Sequence, residues 1–210
     1  MSHDESYLLD QIGEIKEQLK SDPENIDLLN DLGVGYYLAG EYNKSIDVLR
    51  EAVTLRPDET RCLYNLANSL AEIEEYEEAI KYYHDSIDQS PDHLPSLNNL
   101  ADCYEAVEQP EKAKQLFEYL IRLSPDNALS HFNYGNFLLR NGDHITAAKI
   151  YRSVIEMEPT FADAYYNLAW ILFEIEAWEE SLFYAESGLK QDIEHEELHK
   201  LLTKVRNQIG

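Results

Sequence analysis

Apolar residues recur along this chain at helical spacing in blocks of about 12 to 15 residues, and the blocks themselves recur. Counting from Ile26, Thr60, Leu94, Ala128 and Ala162, the fourth position holds Leu29, Leu63, Leu97, His131 and Tyr165, and the seventh Leu32, Leu66, Leu100, Tyr134 and Leu168. Pro23, Pro57, Pro91, Pro125 and Pro159 fall at the same 34-residue period, each closing a helical block. Position eight holds Gly33, Ala67, Ala101, Gly135 and Ala169, and position twenty Ser45, Ala79, Ala113, Ala147 and Ser181, so both carry only small side chains. Each repeat therefore predicts two short helices crossing at close range through the small residues. Leu, Tyr and Phe at positions four, seven, eleven and twenty-four fill the flanks. Helices this short do not persist alone in water, and each pair leaves an apolar flank that only a neighbouring pair covers.

Punctuation and ends agree with this reading. Gly40 and Gly142 separate the helices of repeats one and four, whereas repeats two and five cross the turn with Glu74-Glu75 and Glu176-Ala177. Pro95 falls in the first turn of a helix, and Pro110 opens another without removing a needed N–H. Ahead of the array, Leu8, Leu9, Ile12, Ile15 and Leu19 predict a one-sided helix that covers the first repeat. Behind it, Leu198, Leu201, Leu202, Val205 and Ile209 predict a second capping helix, whose basic residues suit the dipole near its C-terminus.

The period, the block Leu32-Gly33-x2-Tyr36 and the block Ala113-x3-Phe117 with Pro125 together resemble the tetratricopeptide repeat, over residues 26 to 194. The resemblance implies an all-α fold, a right-handed alpha-solenoid superhelix of antiparallel helix pairs. Its expected parts are a capping half-repeat helix at 1–25, repeats at 26–59, 60–93, 94–127, 128–161 and 162–194, and a capping helix at 195–210. It also implies a non-catalytic protein-protein interaction adaptor or scaffold whose concave groove is lined from positions two, five, six, nine, twelve and thirteen. On this chain the groove residues are Tyr37, Tyr64, Asn65, Asn68, Asn99, Phe132, Asn133, Asn136, Tyr166, Asn167, Trp170 and Phe173. Their amides donate and accept as a peptide backbone requires, and their rings supply the area that dominates hot spots; Trp170 is the leading candidate. Positions five and six carry no Lys or Arg, so the carboxylate clamp of some family members is not implied.

Charge sharpens the partner. The chain of 210 residues has 17 Lys and Arg against 41 Asp and Glu, a formal net charge of -24, which repels nucleic-acid backbones and anionic membrane surfaces. No Lys or Arg lies between Arg152 and Lys190, or between Cys62 and Ile80, while Glu residues accumulate in both runs. A protein or peptide partner with basic and apolar anchor residues is therefore expected, with no nucleic acid and no membrane insertion. Met1-Ser2-His3-Asp4-Glu5 has neither a basic nor a hydrophobic region, and the two cysteines, Cys62 and Cys103, sit inside helical patterns; both point to the cytoplasm.

Two other classes compete. The end helices could pack against a second copy, giving a self-associating structural protein, a homo-oligomer. His195-Glu196-Glu197-Leu198-His199 matches H-E-x-x-H, the zinc-hydrolase pattern that needs both imidazoles on one helical face. It straddles the opening of the last helix, and the eleven residues that follow contain no further ligand type. No catalytic residue, metal or cofactor is therefore assigned.

Overall fold

The computed structural model describes residues 3–210, with side chains from Tyr7 onward. Met1 and Ser2, with which the expected N-terminal capping segment begins, lie outside the described residues. Twelve α-helices and no strand occur among the described residues: α1 (His3–Leu19), α2 (Ile26–Leu38), α3 (Tyr42–Leu55), α4 (Thr60–Glu72), α5 (Tyr76–Gln89), α6 (Leu94–Ala106), α7 (Pro110–Leu123), α8 (Ala128–Arg140), α9 (His144–Met157), α10 (Ala162–Glu174), α11 (Trp178–Gln191) and α12 (Glu196–Ile209). The fold is all-α, an α-solenoid of antiparallel helix pairs. The chain divides into two compact units, Met1–Leu116 and Phe117–Gly210.

In the N-terminal unit α2 pairs with α3 and α4 with α5, α1 packs on α2, α3 on α4, and α5 on α6. Leu49, Leu66, Ala67, Leu70, Ala79, Tyr83 and Leu100 form one buried cluster. The crossings are close because positions eight and twenty are small. A Cβ on Gly33 would lie 2.5 Å from Leu49 Cγ. Buried hydroxyls reinforce the seam: Ser45 Oγ donates to Gly33 O at 2.7 Å, Ser45 meets Ser69 at 2.8 Å, and Ser86 meets Ser96 at 2.8 Å. At the start, Leu8, Ile12, Ile15 and Leu19 of α1 face Leu32 and Tyr36, whereas Leu9 points outward. That departs from the expected five-residue stripe, because Leu9 sits one residue off the i, i+4 row made by Leu8 and Ile12.

In the C-terminal unit α8 pairs with α9 and α10 with α11, α9 packs on α10, and α11 on α12. Ala169, Ala185, Leu198, Leu201 and Val205 form a buried cluster in which α12 covers the last pair. A Cβ on Gly135 would lie 2.8 Å from the Tyr151 ring. Ala67 faces Tyr83 as Gly135 faces Tyr151, so position eight is held small in both units, and the type of residue across the crossing does not by itself select glycine over alanine. Ser181 Oγ donates to Ala169 O at 2.8 Å, as Ser45 does to Gly33.

The turn inside each repeat repeats too. Gly40, Glu74, Glu108, Gly142 and Glu176, spaced 34 apart, all take positive φ, between 57° and 81°. Each turn carries the paired bonds of a Schellman motif, for example Gly40 N to Tyr37 O and Glu41 N to Tyr36 O, or Glu176 N to Phe173 O and Ala177 N to Leu172 O. Three of these turns place a glutamate where glycine is the unstrained choice.

Candidate functional site

Position zero, the residue before each first helix, was not singled out by the sequence pattern, yet it organises the expected groove face. Asn25, His93, Asn127 and His195 stand there, and each caps its helix by accepting the N–H three residues on: Leu28, Ser96, Ser130 and Leu198. The ring-bearing members also pack, edge-on or tilted, against the ring at position five of the preceding repeat. Tyr64 meets His93 with centroids 5.1 Å apart, Phe132 meets Phe161 at 4.7 Å, and Tyr166 meets His195 at 5.7 Å. Where position five is Asn30 or Asn98, the following position zero is Glu59 or Asn127, with no ring on either side. One face of Tyr64, Phe132 and Tyr166 is thus occupied by the next repeat. The covariation was readable in the sequence once position zero is aligned.

The asparagines form a recurring triad. Asn68 Oδ1 accepts from Tyr83 OH at 2.6 Å and from Asn99 Nδ2 at 2.9 Å. In the C-terminal unit Asn136 Oδ1 accepts from Tyr151 OH at 2.8 Å and from Asn167 Nδ2 at 2.9 Å. Asn65 Nδ2 reaches Asn30 Oδ1 at 2.8 Å, since position nine of the first repeat is Val34. Position six therefore ties the second repeat to the first, the third to the second and the fifth to the fourth. Burial drives the Tyr83 and Tyr151 hydroxyls upward, so both remain donors at any physiological pH. Asn133 is half-buried on the same face of α8.

Around the N-terminal triad lies an open concavity of about 330 Å³, lined by Tyr37, Asn68, Ala71, Glu72, Tyr76, Asn99, Asp102 and Ala106 among others. It exists because positions twelve and thirteen hold the methyl groups of Ala71 and Ala106, where the first and last repeats put Tyr37 and Phe173 at position twelve. Tyr37 OH donates to Glu72 Oε1 at 2.9 Å, and burial together with that carboxylate pushes the phenol up to about 12. Two carboxylates, Glu72 and Asp102, thus share the lining with Tyr37, Tyr76, Tyr83 and the Asn68 amide.

The C-terminal triad is set among larger groups. Leu139 and Trp170 occupy the positions of Ala71 and Asp102. Trp170 stands edge-on to His144 with centroids 6.0 Å apart, and Phe173 edge-on to Trp178 at 5.0 Å. Tyr166, Trp170 and Phe173 all rest, half-buried, on the cluster that α12 completes.

The histidine pair does not form the face that zinc chemistry needs. His195 is the cap, with extended backbone outside the helix; its Nδ1 accepts Leu198 N–H and its Nε2 contacts Asp163 Oδ1 at 3.0 Å. His199 Nε2 bonds Ile193 O at 2.7 Å. Among the described residues no group of three or more His, Cys, Asp or Glu is placed to hold a metal ion. Arg61, the basic side chain at position two, is held by Asp27 at 2.6 Å and Glu59 at 3.1 Å. Cys62 and Cys103 are buried free thiols, which burial pushes up to about 11 and about 12. None of the described helices is long and apolar enough to cross a membrane.

Helix pairs repeated at 34 residues and tied by recurring asparagine bonds define a helical-repeat scaffold. Family models agree. The model described as tetratricopeptide repeat matches residues 59–126, that of the middle TPR-like domain of cilia and flagella-associated protein 70 matches residues 97–201, and that of anaphase-promoting complex, cyclosome, subunit 3 matches residues 13–86. The chain belongs to the tetratricopeptide-repeat family, and it is a non-catalytic interaction scaffold of that kind. Among solved structures, a tetratricopeptide repeat protein from Parabacteroides merdae aligns over 98% of this chain and 81% of its own, at 18% identity and a TM-score of 0.77. YrrB, described as a TPR protein with an unusual peptide-binding site, aligns over 92% and 97% at 18% identity and 0.64. TTC0263 of Thermus thermophilus aligns over 87% and 99% at 19% identity and 0.66. At these identities the likeness concerns the fold. No curated protein matches by sequence.

Proposed function

We propose that this chain is a cytoplasmic adaptor that seats a peptide segment of a partner protein in the N-terminal concavity. A Lys or Arg side chain of the partner lies between Glu72 and Asp102, and an apolar residue lies against Tyr37 and Tyr76. The observation that carries the reading is the cavity itself: about 330 Å³ of open space lined by two carboxylates, three tyrosines and two asparagine amides. Asn68 has its oxygen doubly engaged, so its Nδ2 end remains for a partner's backbone carbonyl. Trp170, Phe173 and the exposed faces of Phe132, Tyr166 and Tyr64 offer further anchoring area, with Asn65, Asn133, Asn136 and Asn167 holding the surface in place. The charge of -24 speeds encounter with such a basic segment. YrrB's description supports peptide binding by a relative of this fold. Two buried thiols with no disulfide suit a reducing compartment.

The test uses fluorescence anisotropy with labelled peptides that pair Lys or Arg with Leu or Phe, and their Glu-for-Lys counterparts. Ala71→Phe fills the cavity without removing a polar group and is expected to weaken the basic peptides by roughly tenfold or more. Trp170→Ala tests the C-terminal unit's aromatic face by itself and costs about 2 kcal/mol for a segment anchored there. Binding unchanged by both variants overturns the reading. Exposed Tyr7 and Leu9 on α1 and Ile209 on α12 favour one competitor, self-association through the end helices. A molar mass that rises with concentration and falls back on Leu9→Asp or Ile209→Asp would establish it.

A further inference from the structure

A second surface, in the C-terminal unit and outside the expected groove positions, has the opposite chemistry. The start of α9 and the end of α10 enclose an open pocket of about 190 Å³ lined by His144, Ile145, Ala148, Lys149, Arg152, Ile171, Leu172 and Ile175. Ile145 is 75% exposed and Ile175 62% exposed. The repeat architecture does not ask for Ile145: position eighteen holds Asn43, Glu77, Glu111 and Glu179 in the other repeats. The three glutamates lie in the first turn of a helix, where a negative charge is favourable. Here that charge is replaced by a large aliphatic group left in water.

The rim is basic in a chain that is otherwise strongly acidic. Lys149 has no ion-pair partner among the described residues, Arg152 reaches Glu180 only at 3.6 Å, and no carboxylate lines the pocket. We infer that this pocket docks an acidic amphipathic segment of a partner protein. One or two of the segment's aliphatic or aromatic side chains enter between Ile145, Ile171 and Ile175, and its Asp or Glu carboxylates lie against Lys149 and Arg152. The apolar floor provides the burial, and the two cations select the sign of the guest. A basic guest, which the acidic concavity suits, is repelled here. The chain then holds two guests of opposite charge at two sites, which is what a bridging adaptor requires.

The test selects a random peptide display library against the full-length chain, with the double variant Ile145→Asp, Ile175→Asp as counter-selection. Both positions are exposed, and unchanged circular dichroism verifies the fold. Expected are sequences that place Asp or Glu around aliphatic or aromatic residues. Their affinity falls roughly tenfold or more on Lys149→Glu with Arg152→Glu, is unaltered by Ala71→Phe, and weakens steeply with salt. Restored binding by a Lys-for-Glu version of the same peptide to the charge-reversed variant completes the case. Failure to enrich any sequence, enrichment of basic or neutral sequences, or indifference to the charge reversal overturns the inference. So does a concentration-dependent oligomer that Ile145→Asp dissolves, since the occupant is then a second copy. Ala71→Phe tests the concavity independently, so either site can fail alone.

Discussion

The two units carry the same triad, Tyr83–Asn68–Asn99 in one and Tyr151–Asn136–Asn167 in the other, with matching distances, yet they surround it with different walls. In the N-terminal unit Ala71, Ala106 and Asp102 leave an open acidic hollow; in the C-terminal unit Leu139 and Trp170 stand at the positions of Ala71 and Asp102. Elsewhere in the C-terminal unit, Ile145 replaces an acid and leaves an apolar, basic-rimmed pocket. The contrast separates two kinds of position. Position six, whose amide reaches the preceding repeat from Asn65, Asn99 and Asn167, is asparagine in four repeats, whereas positions nine and twelve change from repeat to repeat and with them the walls around the joint.

If the triads are the shared joint, breaking either should cost the same. Asn68→Ala and Asn136→Ala each strand the hydroxyl of a buried tyrosine and an amide, and each is expected to lower unfolding free energy by about 2 kcal/mol in urea denaturation. A loss confined to one unit would mean the triads are not equivalent. A smaller effect, about 1 to 2 kcal/mol, is expected of Gly135→Ala, because the added methyl meets the Tyr151 ring at 2.8 Å. The N-terminal unit already has Ala67 opposite Tyr83, so Ala67→Gly is expected to destabilise rather than relieve, and thermal melts of the two variants would show whether the two crossings differ.

Smaller still is a gain of about 0.5 to 1 kcal/mol from Glu176→Gly or Glu74→Gly, since each removes a left-handed residue at φ near 60° that carries a Cβ. An equal gain in both units would show the turn to be common architecture. The last distinction is one of pH. His93 caps α6 through an unprotonated Nδ1, and burial lowers its pKa from 6.5. The unfolded chain then binds the proton first, so the stability this group adds is complete above about pH 6.5 and is lost as pH falls through the depressed folded value. Wild type minus His93→Ser, measured across that window, should decline towards acid by a few tenths of a kcal/mol or more.

Much of the fold was legible in the chain because the 34-residue period is a covalent fact and small side chains at two fixed positions require close crossings. The outward turn of Leu9 was not legible, since a one-residue phase is decided only when helices pack. The candidate site was legible in part. Tyr37, Asn68 and Asn99 meet at one hollow, whereas Tyr64, Phe132 and Tyr166 lend a face to the ring that begins the next repeat.

The histidine motif shows the same division. As letters, His195 and His199 suggest a metal site; as a structure, His195 holds the place that His93 holds 102 residues earlier and caps a helix. The amino-acid sequence by itself determined the helical pairing and the close crossings, because local spacing and the size of side chains act along the chain. Only the tertiary structure decided which exposed positions enclose a cavity and of what charge. A cavity is the space left between neighbours from separate repeats, and the absence of a side chain such as Ala71 has meaning only beside the groups that fail to fill it.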